Sequence, residues 1–267
     1  MHDRERHVPR KRFGQHFLHD PGILARIVAA ISPRPGERLV EIGPGEGALT
    51  LPLLRAAEKL TAIELDRDLI EPLRSKAQGI GELTIISADA LTVDFTALVQ
   101  GSPMPRLRIV GNLPYNISTP ILFHCLEHAH VIEDMHFMLQ KEVVERMAAP
   151  PGSKTYGRLS VMLQLRCTVE PLLRVPPGAF RPPPKVDSAV VRLVPLPATQ
   201  LPDVDFALVE KLVRAAFGQR RKTLSNALRE FATAAELDAA GIDPRARAEQ
   251  LAPAAYVALA QHLVVPR

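Results

Sequence analysis

The sequence contains only two cysteines among its 267 residues, and this scarcity excludes several kinds of site. Cys125 and Cys167 lie far apart along the chain and lack the paired spacing of a zinc site. A reduced, cytoplasmic protein is therefore expected. Because Cys125 lies within the apolar run 121–126, we interpret it as a core residue rather than a reactive thiol.

Metal and membrane functions also lack support in the sequence. The nine histidines do not form the pattern of two histidines at helical spacing flanking a glutamate. No apolar run approaches the length needed to cross a bilayer. Residues 4–12 carry five basic side chains and one acidic side chain, without the apolar centre of an export signal. We interpret them as a flexible basic arm, and we expect neither a metal nor a membrane partner.

A glycine-rich loop follows the first clearly predicted strand. Residues Leu39–Ile42 read as a buried strand, residues 43–47 contain three glycines, and residues 48–57 read as a helix. Glycines allow the backbone to turn and to approach a ligand without a Cβ atom. The spacing differs from the G-x-G-x-x-G pattern of dinucleotide enzymes and suits the shorter loop of methyl-donor sites.

Two carboxylates follow the next two predicted strands. Glu64 ends the strand 60–64, at about the twenty-residue separation from the loop that suits a ligand for ribose hydroxyls. Asp89 follows the strand 83–87 and could accept a hydrogen bond from the adenine amine of a cofactor, although it could equally be a helix N-cap. In open α/β sheets the ligand lies beyond the carboxyl ends of the strands, where Gly43, Glu64 and Asp89 would meet. The alternative is a tight loop followed by surface acidic residues.

The most informative segment is Asn112, Leu113, Pro114 and Tyr115, which follows a fourth predicted strand. The exocyclic amine of adenine is a poor nucleophile because its lone pair is delocalised into the ring, so an enzyme that alkylates it must accept both N–H hydrogens. Asn112 supplies an amide oxygen, and the rigid turn can aim the carbonyl of Leu113 or Pro114 at the same amine. Tyr115 offers a face for base stacking. The alternative is an ordinary Asn-Pro turn.

Together with further segments, these residues resemble the ribosomal RNA adenine N6,N6-dimethyltransferase family, and in particular its bacterial small-subunit members. The matching segments are 11–15, 41–45, 62–66, 112–118, 138–143, 156–160 and 180–188. The resemblance implies S-adenosylmethionine as methyl donor. It also implies 16S rRNA of the immature small ribosomal subunit as substrate, with N6,N6-dimethylation of two adjacent adenosines in a hairpin loop.

The resemblance further implies roles for individual residues. The donor would be held by His16, Leu18, Gly43, Glu64, Asp89 and Asn112. His16 stands where other members have asparagine. The base would be gripped by residues 112–115, and Phe180 would close over it from the opposite side. Without the resemblance, Phe180 reads as an aromatic anchor for the proline run 182–184.

A proline-rich linker, residues 195–202, separates two differently patterned regions. We predict an α/β domain over residues 1–195, with a Rossmann-like methyltransferase sheet, and a small helical domain over residues 196–267. In the second region, Phe206, Val209, Val213 and Phe217 mark the apolar face of a helix.

The segment 219–229 contains no carboxylate. Arg220, Arg221 and Lys222 are predicted to contact RNA phosphates, and a solvated helix face is the alternative. The chain shows no long apolar seam, so we expect a monomer. Two other functions remain open: a large-subunit rRNA adenine methyltransferase of the macrolide-resistance type, and a non-catalytic small-subunit assembly factor.

Overall fold

The computed structural model describes residues 16–101 and 106–264. The predicted basic arm and the matching segment 11–15 lie outside the described residues. The strands are β1 (Phe17–Leu18), β2 (Leu39–Ile42), β3 (Lys59–Glu64), β4 (Glu82–Ser87), β5 (Leu107–Asn112), β6 (Ile132–Gln140), β7 (Cys167–Val175), β8 (Phe180–Arg181) and β9 (Ser188–Pro195). The α-helices are α1 (Pro21–Ile31), α2 (Thr50–Ala57), α3 (Arg67–Ala77), α4 (Ser118–Glu127), α5 (Lys141–Met147), α6 (Arg158–Gln164), α7 (Phe206–Gly218), α8 (Leu224–Ala227), α9 (Ala234–Ala239) and α10 (Pro253–Val264).

Seven strands form one sheet in the order β4-β3-β2-β5-β6-β9-β7. The pairs from β4 to β6 are parallel, and β9 is antiparallel to β6. The chain builds outward from β2 to β4 on one side and then returns to place β5 and β6 on the other side. The strand order therefore reverses between β2 and β5, and in such sheets the ligand crevice lies at the carboxyl ends of these two strands. The predicted α/β class and Rossmann-like sheet are confirmed.

The central strands read as apolar runs because both faces of the sheet are covered. All four residues of β2 are buried, as are the first five of β5. One cluster of buried side chains joins α1, α2, β2 and the region around β8. Cys125 is fully buried in α4, and burial raises the pKa of its thiol to about 12, so its assignment to the core is confirmed.

A two-stranded ribbon lies outside the main sheet. β1 pairs antiparallel with β8, with Leu18 opposite Phe180. The partners are more than 160 residues apart in sequence (180 − 18 = 162), so no local pattern indicates this pairing. The ribbon brings the residues just before α1 to the loop that precedes β9.

The chain divides into two compact units. Of the described residues, the first unit comprises 16–101, 106–144 and 170–195, and the second comprises 145–169 and 196–264. The division after Pro195 coincides with the proline-rich linker. Residues 145–169, which the sequence places in the first domain, belong to the second unit because α6 packs against α7. Among the described residues, no helix is long and apolar enough to cross a membrane, and no cluster of His, Cys, Asp and Glu could hold a metal ion.

Candidate active site

A cavity of about 300 Å³ opens at the carboxyl ends of β2 to β5 within the first unit. It is lined by every cofactor and clamp residue predicted from the sequence except Phe180, namely His16, Leu18, Gly43, Glu64, Asp89, Asn112, Leu113, Pro114 and Tyr115. Because the strand order reverses between β2 and β5, residues from five separate segments of the chain line the same cavity.

The glycine loop adopts backbone conformations that side chains rarely tolerate. Gly43 and Gly45 have φ values of +69° and +56°. A Cβ atom on Gly45 would stand 2.9 Å from Cε1 of Phe17, so a larger residue would push against β1. The loop therefore allows the chain before α1 to lie close against the cavity.

Glu64 is buried at the end of β3 and is held by the backbone. Its two carboxylate oxygens accept hydrogen bonds from the amides of Gly45, at 3.1 Å, and Asp66, at 2.8 Å. Burial raises the pKa of the carboxyl group, and these two hydrogen bonds oppose the rise. Each oxygen keeps a second lone pair, so the group can accept further hydrogen bonds from a ligand in the cavity.

Asp89 combines the two roles that the sequence left open. One carboxylate oxygen caps the short helix that follows, by accepting a hydrogen bond from the amide of Leu91 at 3.0 Å. The other oxygen has no hydrogen-bond partner among the described residues, and the side chain lines the cavity. The cap fixes the carboxylate while leaving it able to accept from a ligand.

Glu41 is a site residue that the sequence interpretation missed. It lies in the middle of β2, is only 2% exposed, and lines the cavity. Its Oε2 atom has no hydrogen-bond partner in the part of the chain that the structure describes, and burial together with the nearby charge of Glu64 raises the pKa of the carboxyl group to about 8. The signal was present, since Glu41 is the single charged residue of an otherwise apolar strand.

The carboxamide of Asn112 is oriented by its neighbour. Its Nδ2 atom donates to the main-chain carbonyl of His16 at 2.9 Å, and a carbonyl can only accept, so the orientation of the amide is fixed. The amide oxygen has no partner among the described residues. The carbonyl of Pro114 accepts from the amide of Ile117, whereas that of Leu113 accepts no hydrogen bond from the described residues. Two acceptors of this segment are thus available to an amine.

Tyr115 is held at both its hydroxyl and its ring. The hydroxyl is 2.7 Å from the hydroxyl of the buried Ser188, and burial raises the pKa of the phenol. The ring stacks against that of His16, with centroids 5.7 Å apart and planes 26° from parallel. Ser188, which the sequence interpretation did not single out, therefore fixes the stacking face.

Phe180 does not line the cavity. It is 2% exposed and belongs to the cluster of buried side chains that includes Leu18 and Val190. β8 pairs with β1, and the side chain of Phe180 is buried in this cluster. The same cluster contains Leu18, Met138 and Val190, which line the cavity, so Phe180 packs directly behind the cavity wall.

The predicted RNA-binding residues lie in the second unit and differ in their contacts. Arg220 forms an ion pair with Glu249 at 2.8 Å and donates to the carbonyls of Lys154 and Tyr156. Arg221 and Lys222 are exposed. Arg220 is exposed as well, with 43% of its side-chain surface accessible, but its contacts connect segments of this unit.

The chain is similar to known proteins over nearly its whole length. The family model described as "Ribosomal RNA adenine dimethylase" matches residues 6–264. "Ribosomal RNA small subunit methyltransferase A" of Xanthomonas campestris pv. campestris (strain B100) is 62% identical over 251 residues, which cover 94% of this chain and 95% of that protein. The same-named protein of Xanthomonas axonopodis pv. citri (strain 306) is 63% identical over 252 residues, with the same coverage.

Two solved structures share the fold over most of their length. The dimethyladenosine transferase from Plasmodium falciparum has a TM-score of 0.76 at 28% identity, covering 91% of this chain and 96% of that one. The 23S rRNA methyltransferase ErmE has a TM-score of 0.70 at 31% identity, covering 92% and 99%. With a family model that spans nearly the whole sequence and relatives above 60% identity, the chain belongs to the ribosomal RNA adenine dimethylase family.

Proposed function

We propose that this protein transfers methyl groups from S-adenosylmethionine to N6 of two adjacent adenosines in a hairpin loop near the 3′ end of 16S rRNA, giving N6,N6-dimethyladenosines. One observation carries the chemistry: Asn112 is oriented so that its amide oxygen, beside the carbonyl of Leu113, is left to accept from an amine. An exocyclic amine with two N–H groups fits two such acceptors.

The cavity contains groups that suit each part of S-adenosylmethionine. Glu64 suits the ribose hydroxyls and Asp89 suits the adenine amine, while Leu65 and Leu91 on the cavity wall offer apolar surface to the ring. The buried and unpartnered Oε2 of Glu41 suits an ammonium group. Gly43 and the backbone around His16 and Leu18 complete the proposed set. When bound, this cofactor supplies a methyl group on a positively charged sulfur.

The protein's own residues act by holding and aligning the acceptor. Acceptance of both N–H hydrogens by Asn112 and Leu113 restrains the amine and turns its lone pair toward the methyl carbon. Bound S-adenosylmethionine would supply the methyl group, with its C–S bond exchanged for the new C–N bond, and the amine would pass one proton to solvent. No covalent enzyme intermediate is needed, since Cys125 and Cys167 are buried away from the cavity lining. Alignment of this kind supplies most of the acceleration.

Tyr115 offers the face on which the extruded base stacks, a contact of about 1–3 kcal/mol that offsets part of the cost of leaving the RNA stack. Adenosines of a hairpin loop are already partly unstacked, which favours a loop over a duplex. Phe180, which is buried beside the cavity-lining residues Leu18 and Val190, is proposed to close over the base from the side opposite Tyr115.

The small subunit is the better supported substrate. Relatives 61–63% identical to the chain carry small-subunit names, whereas ErmE, a 23S rRNA enzyme, is 31% identical. Arg221 and Lys222 are proposed to contact rRNA phosphates within the immature subunit. We further propose a cytoplasmic protein that acts as a monomer.

The direct test is mass spectrometry of rRNA from cells that lack the protein. Loss of dimethyladenosine from two adjacent positions of 16S rRNA, restored by the wild-type gene, is the expected result. Unchanged 16S rRNA, or loss of a 23S modification, would refute the proposal. Ribosome profiles of the deletion strain beside an Asn112→Ala strain separate catalysis from an assembly role, because the variant keeps the protein present.

A further inference from the structure

The side chain of His16 makes its contacts with the clamp side of the cavity. Its Nδ1 atom lies 2.7 Å from the carbonyl oxygen of Pro182, and its ring stacks on Tyr115. Its main-chain carbonyl accepts the hydrogen bond that orients Asn112. One residue therefore touches the amide that grips the amine, the ring that faces the base, and the proline loop.

The contact with Pro182 defines the proton position on the imidazole. A carbonyl oxygen accepts and cannot donate, so Nδ1 must carry hydrogen. The contact is an N–H···O hydrogen bond between two residues that are 166 positions apart in sequence, and it adds to the packing of the imidazole ring.

The loop that His16 tethers also fixes Tyr115 at its far end. Residues 182–187 run from Pro182, which accepts the imidazole N–H, to Ser188 at the start of β9. Ser188 in turn holds the phenol of Tyr115. The ring of Tyr115 is thus braced through one loop from two directions, by His16 against its face and by Ser188 at its hydroxyl.

We propose that His16 is a positioning residue for the target adenosine, whose imidazole N–H ties the proline loop to the clamp formed by residues 112–115. Its side chain serves the acceptor and not the methyl donor. The inference rests on the proposed function, because the base being positioned is the adenosine of that reaction.

Three substitutions separate the effect of the N–H hydrogen-bond donor of His16 from the effect of its ring. His16→Asn keeps an N–H donor, since Nδ2 of asparagine is as many bonds from Cα as Nδ1 of histidine, but removes the ring. His16→Phe keeps a ring without a donor. His16→Ala removes both. For each purified protein we would measure kcat and KM with immature small subunits, the Kd for S-adenosylmethionine by calorimetry, and the melting temperature.

If the imidazole N–H ties the proline loop to the clamp, the three variants should differ in kcat in a way that loss of a merely structural residue would not produce. His16→Asn should keep kcat within about threefold of wild type, while the Phe and Ala variants lose on the order of 10-fold to 100-fold in kcat, because small misplacements of reacting groups are costly. The Kd for S-adenosylmethionine should stay within about twofold of the wild-type value in all three variants, because the side chain is proposed to align the adenosine and not to bind the methyl donor.

Several results would overturn the inference. A wild-type kcat for His16→Phe, or an Asn variant as impaired as the Ala variant, would exclude the tether. A large loss of donor affinity with kcat retained at saturating donor would assign the side chain to the cofactor. If the Phe and Ala variants do not fold, His16→Leu replaces them, because it keeps side-chain bulk without a hydrogen-bond donor, and a wild-type kcat there would also exclude the tether. Failure of the wild type to dimethylate would refute the proposed function instead.

Discussion

At Asn112 the two ends of one carboxamide have different tasks, and this division predicts how substitutions behave. Asn112→Ala removes the acceptor for the amine, so we expect kcat to fall by at least about 100-fold while donor affinity changes little. Methyl transfer to immature subunits and calorimetry with S-adenosylmethionine measure the two effects. Asn112→Asp is the matched control, because it keeps an acceptor but sets a carboxylate against the carbonyl of His16. We expect it to be intermediate, and full activity of the Ala variant would refute the clamp.

Glu64 joins the glycine loop to the proposed ribose position. Glu64→Ala removes the acceptor for two backbone amides and for the ligand, so we expect donor affinity to fall roughly 10-fold to 100-fold, in line with hydrogen bonds to a charged group. Calorimetry measures the loss. Glu71→Ala, at an exposed position of α3, is the control and should bind S-adenosylmethionine normally. Unchanged affinity for the Glu64 variant would mean that the ribose lies elsewhere.

Glu41 makes the stability of the free protein depend on pH between about 4.5 and 8. Its pKa is raised to about 8, so the folded state binds a proton that the unfolded state releases above about pH 4.5. Between these values stability falls as pH rises, by an amount on the order of a few kcal/mol. Chemical unfolding of wild type and Glu41→Gln, without donor, at several pH values tests this.

The difference between the two Glu41 unfolding curves is the informative quantity. Burial lowers the pKa of His136 to about 4, and this group gives an opposite slope, with stability lost as pH falls from its usual pKa of 6.5. His136 is common to both proteins and cancels in the comparison. Parallel curves for wild type and Glu41→Gln would show that Glu41 is charged in the folded state.

At the scale of elements, the approach of β5 to β2 depends on a glycine next to the clamp. A Cβ atom on Gly111 would stand 2.6 Å from the carbonyl oxygen of Ile42, which is backbone and cannot rotate away. We expect Gly111→Ala to destabilise the protein by about 1–3 kcal/mol, the usual cost of overpacking, and to lower the melting temperature. Gly178→Ala has no atom within 4 Å of the added carbon and should melt like wild type. Equal melting of both variants would contradict the crowding.

The elements differ in how far the sequence predicts them. Strand β3, which ends at Glu64, and strand β4, which precedes Asp89, could be predicted because an apolar run followed by a polar residue is a local sequence pattern. The order of strands in the sheet then brings these polar residues together. The ribbon of β1 and β8 was not, because its pairing is set by contacts more than 160 residues apart in sequence. Phe180 shows the consequence, because its packing beside Leu18 follows from this long-range pairing and could not be predicted from the local sequence.

At the scale of the whole molecule, the sequence composition identifies the linker but does not show which residues belong to each compact unit. Residues 145–169 precede the proline-rich linker by some distance, yet they belong with the C-terminal helices. The apolar face of α7 needs a partner, and part of that partner is α6. Which earlier helix covers a given face is decided by packing, and the amphipathic pattern of one helix does not identify the other.

Charge in the second unit leads to the last prediction. Arg221 and Lys222 are exposed, so replacing both with alanine should flatten the dependence of log K for rRNA on log salt by up to about 2 without changing the melting temperature. Arg220→Ala should do the reverse, because its guanidinium holds Glu249 and two carbonyls, at an expected cost of about 1–3 kcal/mol. Filter binding over a range of salt concentrations and thermal melting measure the two effects. An unaltered slope for the double variant would make the exposed pair a solvated helix face.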